Sequence, residues 1–328
     1  MDTININYPD IEQLYQQQVA QIWNELEVDL TRDRNEMLSL PRKTVDLMVK
    51  TIMWQHTADS IASRSIIETL GRYATNSELV NLMQVWSFFE VIHGRTYSHI
   101  IKQTFVEPNE ALEGIYQDYR VLQRSQIIID TFNDLAVYQG NDDAELKRLI
   151  IKVLFALYCF EAVAFMSSFA VTFGIAETGK FTGIGQLVKL ICRDEVLHVR
   201  AGLTVMKHLK ANHDWLSMFY QLQDELSDIL HEVVKSELEW ADYLFADGRG
   251  VHGLNAQLLR SYTLYMAGQA ASAIGLTLDY KTPEANPLPY MDKYIDSRKV
   301  QAAAQEIQLT SYNIGVIIDD TADLILTD

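Results

Sequence analysis

Apolar residues recur along most of this chain at intervals of three and four, and strand-like alternation is hard to find anywhere. Prolines stand at 9, 41, 108, 283, 287 and 289, so residues 109–282 carry none, and the pattern there predicts long helices. After a polar start, residues 11–26 read as a short helix and 27–40 as a mostly irregular link. Pro41 suits the first turn of a helix running to Tyr73. Asn76-Ser77-Glu78 is a start signal for the next helix, to Thr104, and Pro108 opens a segment that ends at Gln139-Gly140-Asn141-Asp142. Further helices are predicted over 145–174, over 186–210 after a loop at 179–185, from a cap at Asp214 to Phe245, and over 255–276. Residues 280–294 are rich in proline and aromatics, and 317–328 are acidic without a clear period, so this end is expected to be a flexible tail.

No repeat of fixed short period and no linker between two cores is visible, so one all-helical domain is the economical expectation. The run 153–176 is long and apolar enough to span a bilayer, with Glu161 as its only charge. A carboxylate at mid-span is costly and no second span follows, which favours a helix buried on all sides in a bundle rather than a membrane segment.

Composition narrows the partners. The formal net charge of -17 offers no basic surface to displace counterions, which excludes broad contact with nucleic acid or acidic membranes. Cys159 and Cys192 sit inside apolar helical patterns instead of at disulfide or zinc spacings, and the first residues carry no export-leader pattern. A reducing, cytoplasmic setting is expected.

Within the apolar helices, two stretches carry chemistry: Glu90-Val91-Ile92-His93 and Glu195-Val196-Leu197-His198. Residues three apart on a helix lie about 60° apart with a rise of about 4.5 Å, so each pair can aim two ligands at one point. A carboxylate-bridged dimetal site in a bundle needs two such pairs and one further carboxylate from each of two other helices. Glu161, alone in its apolar run, fits one of these, and Asp59, amid small and apolar residues before it, fits the other. One Glu-x-x-His alone is weak, since that spacing arises by chance and a core histidine is often only hydrogen-bonded; the joint set is far harder to reach by accident. Oxygen-rich ligation with two nitrogens suits iron or manganese better than zinc or copper. Tyr97 returns to the ligand face of its helix, and Phe165 and Phe169 follow Glu161 at helical spacing, but on spacing alone all three read as ordinary core residues.

At this point the sequence resembles the small, radical-generating β subunit of class I ribonucleotide reductase. The resemblance runs from Trp23 through Tyr312, on Glu27-Val28-Asp29-Leu30-Thr31-Arg32-Asp33-Arg34, Asp59-Ser60-Ile61, Glu90-Val91-Ile92-His93, Tyr97-Ser98-His99-Ile100-Ile101, Arg193-Asp194-Glu195-Val196-Leu197-His198 and Trp240-Ala241-Asp242-Tyr243-Leu244-Phe245. It implies a ferritin-like helical bundle with extra helices over residues 1–311. A flexible acidic tail at 312–328 would dock on the large (α) subunit. It further implies a homodimer in which a dinuclear metal centre, two iron ions or a manganese/iron or dimanganese pair, reacts with dioxygen and oxidises a tyrosine to a stable radical.

Residue by residue, Tyr97 matches the radical tyrosine, and Phe165, Phe169 and Ile191 match the apolar pocket that shields it. Trp23 matches the near-surface tryptophan of the family, joined to the metal through Asp194 and His93; Trp86 matches a second tryptophan near the site; Tyr312 matches the tail tyrosine that relays oxidation to the large subunit. Asp59 in place of Glu, together with a tyrosine at 97, fits the tyrosyl-radical branch of the family, while Leu324-Ile325-Leu326-Thr327-Asp328 differ from its usual docking termini. Two other readings remain: a ferritin-like ligand-binding oxidase or iron-storage relative, which needs no conduit through Trp23, Asp194 and Tyr312, and a metal-free helical scaffold, which would leave Glu161 and its companions buried without compensation.

Overall fold

Side-chain caps set where many of the helices begin. In the computed structural model, which describes residues 4–295 apart from the side chains at 62–65, 111, 115 and 116, Asn76 accepts a hydrogen bond from the Leu79 amide (2.8 Å), Asp142 from Ala144 (2.9 Å) and Asn255 from Leu258 (2.9 Å). The helices are α1 (Pro9–Ala20), α2 (Thr31–Ser39), α3 (Arg42–Ser65), α4 (Ser77–Thr104), α5 (Pro108–Gln117), α6 (Tyr119–Arg124), α7 (Gln126–Val137), α8 (Asp143–Cys159), α9 (Met166–Ala176), α10 (Thr182–Lys210), α11 (His213–Gln221), α12 (Gln223–Phe245), α13 (Ala256–Ile274) and the short α14 (Asp292–Ile295). No β-strand occurs among the described residues. Tyr312 and the expected tail at 312–328 lie outside them.

The long helices fall where the apolar pattern puts them, but several boundaries differ; α3, expected to run to Tyr73, gives way to a π turn after Ser65. Residues 27–40 are not an irregular link: α2 occupies most of them, started by Asp29, whose carboxylate accepts from both the amide (2.9 Å) and the hydroxyl (2.7 Å) of Thr31. Its buried members are only Asp33 and Met37, so it carries little apolar signal. Those carboxylates work elsewhere. Asp33 accepts from the Ile184 amide (2.9 Å) and Glu36 from the Phe181 amide (2.5 Å), which supplies partners for the free N–H groups at the start of α10. That is why α10 begins at Thr182 and absorbs half of the expected loop. Gly183 is required there, because a Cβ would overlap the Asp33 carboxylate and approach Asp29 O at 3.0 Å.

The segment after Pro108 is cut into three helices. Asp118 turns its carboxylate to the Arg120 amide (3.1 Å) and the Tyr243 hydroxyl (2.5 Å) and ends α5. The helix expected from Asp214 is two, α11 and α12, broken at Leu222, and its cap is Asn212, which accepts from the Asp214 amide at 3.0 Å. α1 stops at Ala20, short of Leu26, and Asn24 and Glu27 then form a reciprocal capping box around a single 3-10 turn.

α3 packs along α4, and α10 packs against α8 and α9. The apolar stretch Asp143–Ala176 is 89% buried inside the protein over its most apolar window, so it is a core element whose neighbours take the place lipid would have had. It is not one regular helix. Between α8 and α9 the chain widens into a π turn at Phe160–Phe165, and Glu161 lies on it.

Candidate dimetal site

Asp59 from α3, Glu90 and His93 from α4, Glu161 from the π turn, and Glu195 and His198 from α10 meet in the middle of the bundle, each at most 1% exposed. They form two overlapping groups: Asp59, Glu90, His93 and Glu195 offer ligand atoms within 4.8 Å of one another, and so do Glu90, Glu161, Glu195 and His198. Glu90 and Glu195 belong to both groups. His93 Nδ1 lies 3.1 Å from Glu195, 3.5 Å from Glu90 and 3.9 Å from Asp59; His198 Nδ1 lies 2.9 Å from Glu195, 3.0 Å from Glu90 and 3.6 Å from Glu161.

The electrostatics of this cluster are lopsided. Burial pushes the Asp59 and Glu161 carboxyls well above their usual range, and the facing carboxylates, Glu90 for Asp59 and Glu195 for Glu161, push further the same way. Burial alone would lower both imidazoles, yet the surrounding carboxylates win: His93 is raised well above its ordinary value and His198 to about 9. Glu195 also feels burial, but the two imidazoles hold it below the usual carboxylate range. Both oxygens of Asp59 and one each of Glu90 and Glu161 have no hydrogen-bond partner. Unsatisfied buried carboxylate oxygens are costly. Four carboxylates with two imidazoles match the charge and donor set of two divalent cations, so the residues fit a metal pair.

Around the ligands lies a polar and aromatic shell. One oxygen of Asp194 accepts from the Trp23 indole (2.7 Å) and faces His93 Nε2 (3.2 Å), and the Trp23 ring is stacked near the His93 ring, centroids 6.2 Å apart. Trp86 donates to Glu90 (3.0 Å) and stacks on His198 at 4.9 Å. Fixing the far nitrogen of a ligand imidazole orients the ring and sets its tautomer. Tyr97, one turn beyond His93, is fully buried with no partner on its hydroxyl. Burial, then the Asp59 and Glu195 carboxylates, push its phenol well above the ordinary value. Phe165, Phe169 and Ile191 are buried in the same apolar core, with the two phenyl rings 5.7 Å apart.

The six expected ligands, Asp194, Trp23 and Trp86 thus lie together, with the Tyr97 phenol under the influence of Asp59 and Glu195. Sequence reasoning missed a second buried charge: Arg124 of α6, whose guanidinium makes a bidentate pair with Glu237 of α12 (2.5 and 2.6 Å) and lies 3.4 Å from the centre of the Trp54 ring. Arg124 stands between Gln123 and Ser125 in the sequence, so no local signal marked it as buried. Its partner lies 113 residues away, beyond the reach of any local pattern.

The helical bundle and the two overlapping ligand groups define a ferritin-like protein with a buried cluster suited to two metal ions. The family described as ribonucleotide reductase, small chain, matches residues 1–287. Among similar proteins are ribonucleoside-diphosphate reductase 1 subunit beta of Salmonella typhimurium, 30% identical over 97% of this chain and 90% of its own length, and that of Escherichia coli O157:H7, 29% identical over the same shares. Of solved structures, the ribonucleotide reductase R2 subunit from Clostridium botulinum superposes with a TM-score of 0.82 at 23% identity, covering 90% of each chain. The dimanganese(II)-NrdF of Streptococcus sanguinis gives 0.74 at 18%, covering 90% of this chain and 98% of its own. The chain belongs to the ribonucleotide reductase small-chain family, and its function is that of the small subunit of the class I enzyme, which works with a large subunit. Its buried cluster is accordingly a dinuclear metal site.

Proposed function

We propose that this subunit generates and stores a radical on Tyr97 and passes the oxidising equivalent to the large subunit through Trp23 and the tail tyrosine Tyr312. The observation that carries the reading is the juxtaposition of two ligand groups sharing Glu90 and Glu195 with a fully buried phenol that has no hydrogen-bond partner. Asp59, Glu90, His93 and Glu195 would hold one ion and Glu90, Glu161, Glu195 and His198 the other, two iron ions being the first expectation and manganese/iron or dimanganese pairs also fitting the donors. The bound pair, with dioxygen, supplies the one-electron oxidant for the phenol.

The protein's own residues do the rest. Tyr97 is held protonated by burial, so removing its electron also removes a proton, and the neighbouring carboxylates are the acceptors at hand. Phe165, Phe169 and Ile191 keep water and reductants from the ring. Asp194 joins Trp23 to His93 through a single oxygen, so it can hold the indole proton while the ring gives up an electron. Docking of residues 312–328 on the large subunit brings Tyr312 within reach of it, residues 1–311 forming the bundle, and the working form is a cytoplasmic homodimer.

Anaerobic loading of the purified protein with ferrous iron, followed by oxygen and electron paramagnetic resonance, tests the assignment. A tyrosyl signal that Tyr97→Phe removes is expected; no such signal under either iron or manganese loading contradicts it. Tyr312→Phe should keep the signal and abolish turnover with the large subunit, and full turnover in that variant refutes the relay.

A further inference from the structure

Trp23 and Trp54 have opposite electrostatic surroundings, while Trp86 gives its N–H to the ligand carboxylate Glu90 inside the site. Trp23 gives its indole N–H to the Asp194 carboxylate, so both a negative charge and a proton acceptor favour oxidation of that ring. Trp54, on α3, is fully buried against Phe165 (centroids 5.2 Å apart), which lies four residues after Glu161 on the same π turn. From Trp54 a line of aromatic side chains leads outward. The Arg124 guanidinium lies 3.4 Å from the Trp54 ring centre and 4.9 Å from that of Trp240, and Trp240 lies 5.3 Å from Tyr243 at the surface end. Tyr243 in turn has Lys50 and Arg120 each 4.5 Å from its ring centre.

Every ring on this second route therefore faces a cation, and only the outermost, Tyr243, also has a carboxylate acceptor, Asp118, on its hydroxyl. A cation over a π face is attracted to the neutral ring's electrons and is repelled once an electron has left, so it raises the energy needed to oxidise that ring. Glu237 makes the Arg124 pair neutral as a whole, but the ring contacts of both indoles are with the guanidinium. Neither the Trp54 nor the Trp240 N–H meets a protein acceptor, so neither indole has the proton outlet that Trp23 has.

We propose that Arg124, held in place by Glu237, is a positioning residue that insulates the radical site: it blocks loss of the oxidising equivalent through Trp54 and Trp240 and leaves Trp23 as the open exit. The suppressed step is the transfer of one electron from the Trp54 ring to the Tyr97 radical, which regains the proton its phenol released, with a radical cation left on Trp54. The proposal rests on the reading of Tyr97 as the radical site.

The test uses Arg124→Met/Glu237→Met, which removes the pair without leaving either charge alone in the core, and Arg124→Lys, which keeps the charge. After loading with ferrous iron and oxygen, the double variant should show an indole radical beside a shortened tyrosyl signal. Trp54→Phe in that background should remove the indole signal, and Arg124→Lys should behave as the parent. An unchanged tyrosyl lifetime with no indole radical in the double variant overturns the proposal.

A second arm needs neither metal nor Tyr97. A ruthenium polypyridyl photo-oxidant is tethered at Gln123→Cys, which lines the same small surface cavity as Arg124 and Trp240. Flash oxidation of the metal-free protein should give severalfold more indole radical when the pair is removed. Equal yields with and without the pair overturn the insulation, while a rise here with no tyrosyl signal in any loaded protein places the failure in the Tyr97 assignment instead.

Discussion

Two buried charged clusters sit in this bundle, and they are solved in different ways. Arg124 and Glu237 close on each other: burial pulls each toward its neutral form, each partner opposes that, and both Glu237 oxygens are hydrogen-bonded to the guanidinium. The Asp59, Glu90, His93, Glu161, Glu195 and His198 cluster has no cation of its own beyond its two imidazoles, and several of its oxygens are unpartnered. A pair whose charges balance within the chain belongs to the fold, even though Arg124 Nη1 has no partner, whereas a cluster with surplus carboxylates needs an ion to balance it.

The difference is open to direct challenge. Metal loading should have the largest effect: at about a thousandfold excess over the dissociation constant each ion adds about 4.1 kcal/mol to stability, read as a rise in Tm, and the same treatment should leave a Glu161→Gln/His198→Ala variant with at most the increment of one site. Next is Glu237→Ala, which leaves Arg124 buried alone and should cost about 3–5 kcal/mol by denaturant titration in metal-free and loaded protein alike. Glu161→Gln should do the opposite in the metal-free protein, raising Tm by removing a carboxyl that burial and Glu195 disfavour in its charged form, while losing part of the gain on loading.

The pH dependence sharpens the contrast further. The folded-state value of His198, about 9, lies above its ordinary 6.5, so its contribution to metal-free stability is fully present below pH 6.5 and is lost as pH rises toward 9. Ions must displace that proton, so apparent metal affinity should fall as pH is lowered through the same window, measurable by competition with a chelator. The smallest effect expected is at the start of α10, where Asp33→Ala removes the acceptor of the Ile184 amide and should cost about 1 kcal/mol.

How much of this was legible in the sequence follows from how local each signal is. The two Glu-x-x-His pairs and the lone Glu161 are visible because ligands on one helix must repeat at helical spacing and a carboxylate in an apolar run stands out. Tyr97 was different. Its spacing is that of any core residue, and only the family resemblance marked it out; the structure adds that its hydroxyl is buried and unpartnered. α2 was missed because its role is polar and tertiary, with Asp33 and Glu36 supplying acceptors to a helix some 150 positions away. The π turn at Phe160–Phe165 is a backbone feature without a residue signature, and the Arg124–Glu237 pair joins segments that no periodicity connects.

We propose that two ions share Glu90 and Glu195. Anomalous diffraction at the iron edge from crystals of the iron-loaded protein, with metal analysis of the same sample, tests it most directly. Two peaks per chain about 3.5–4 Å apart, both in contact with Glu90 and Glu195 and flanked by His93 on one side and His198 on the other, are predicted. A single peak, or peaks away from these six residues, contradicts the account.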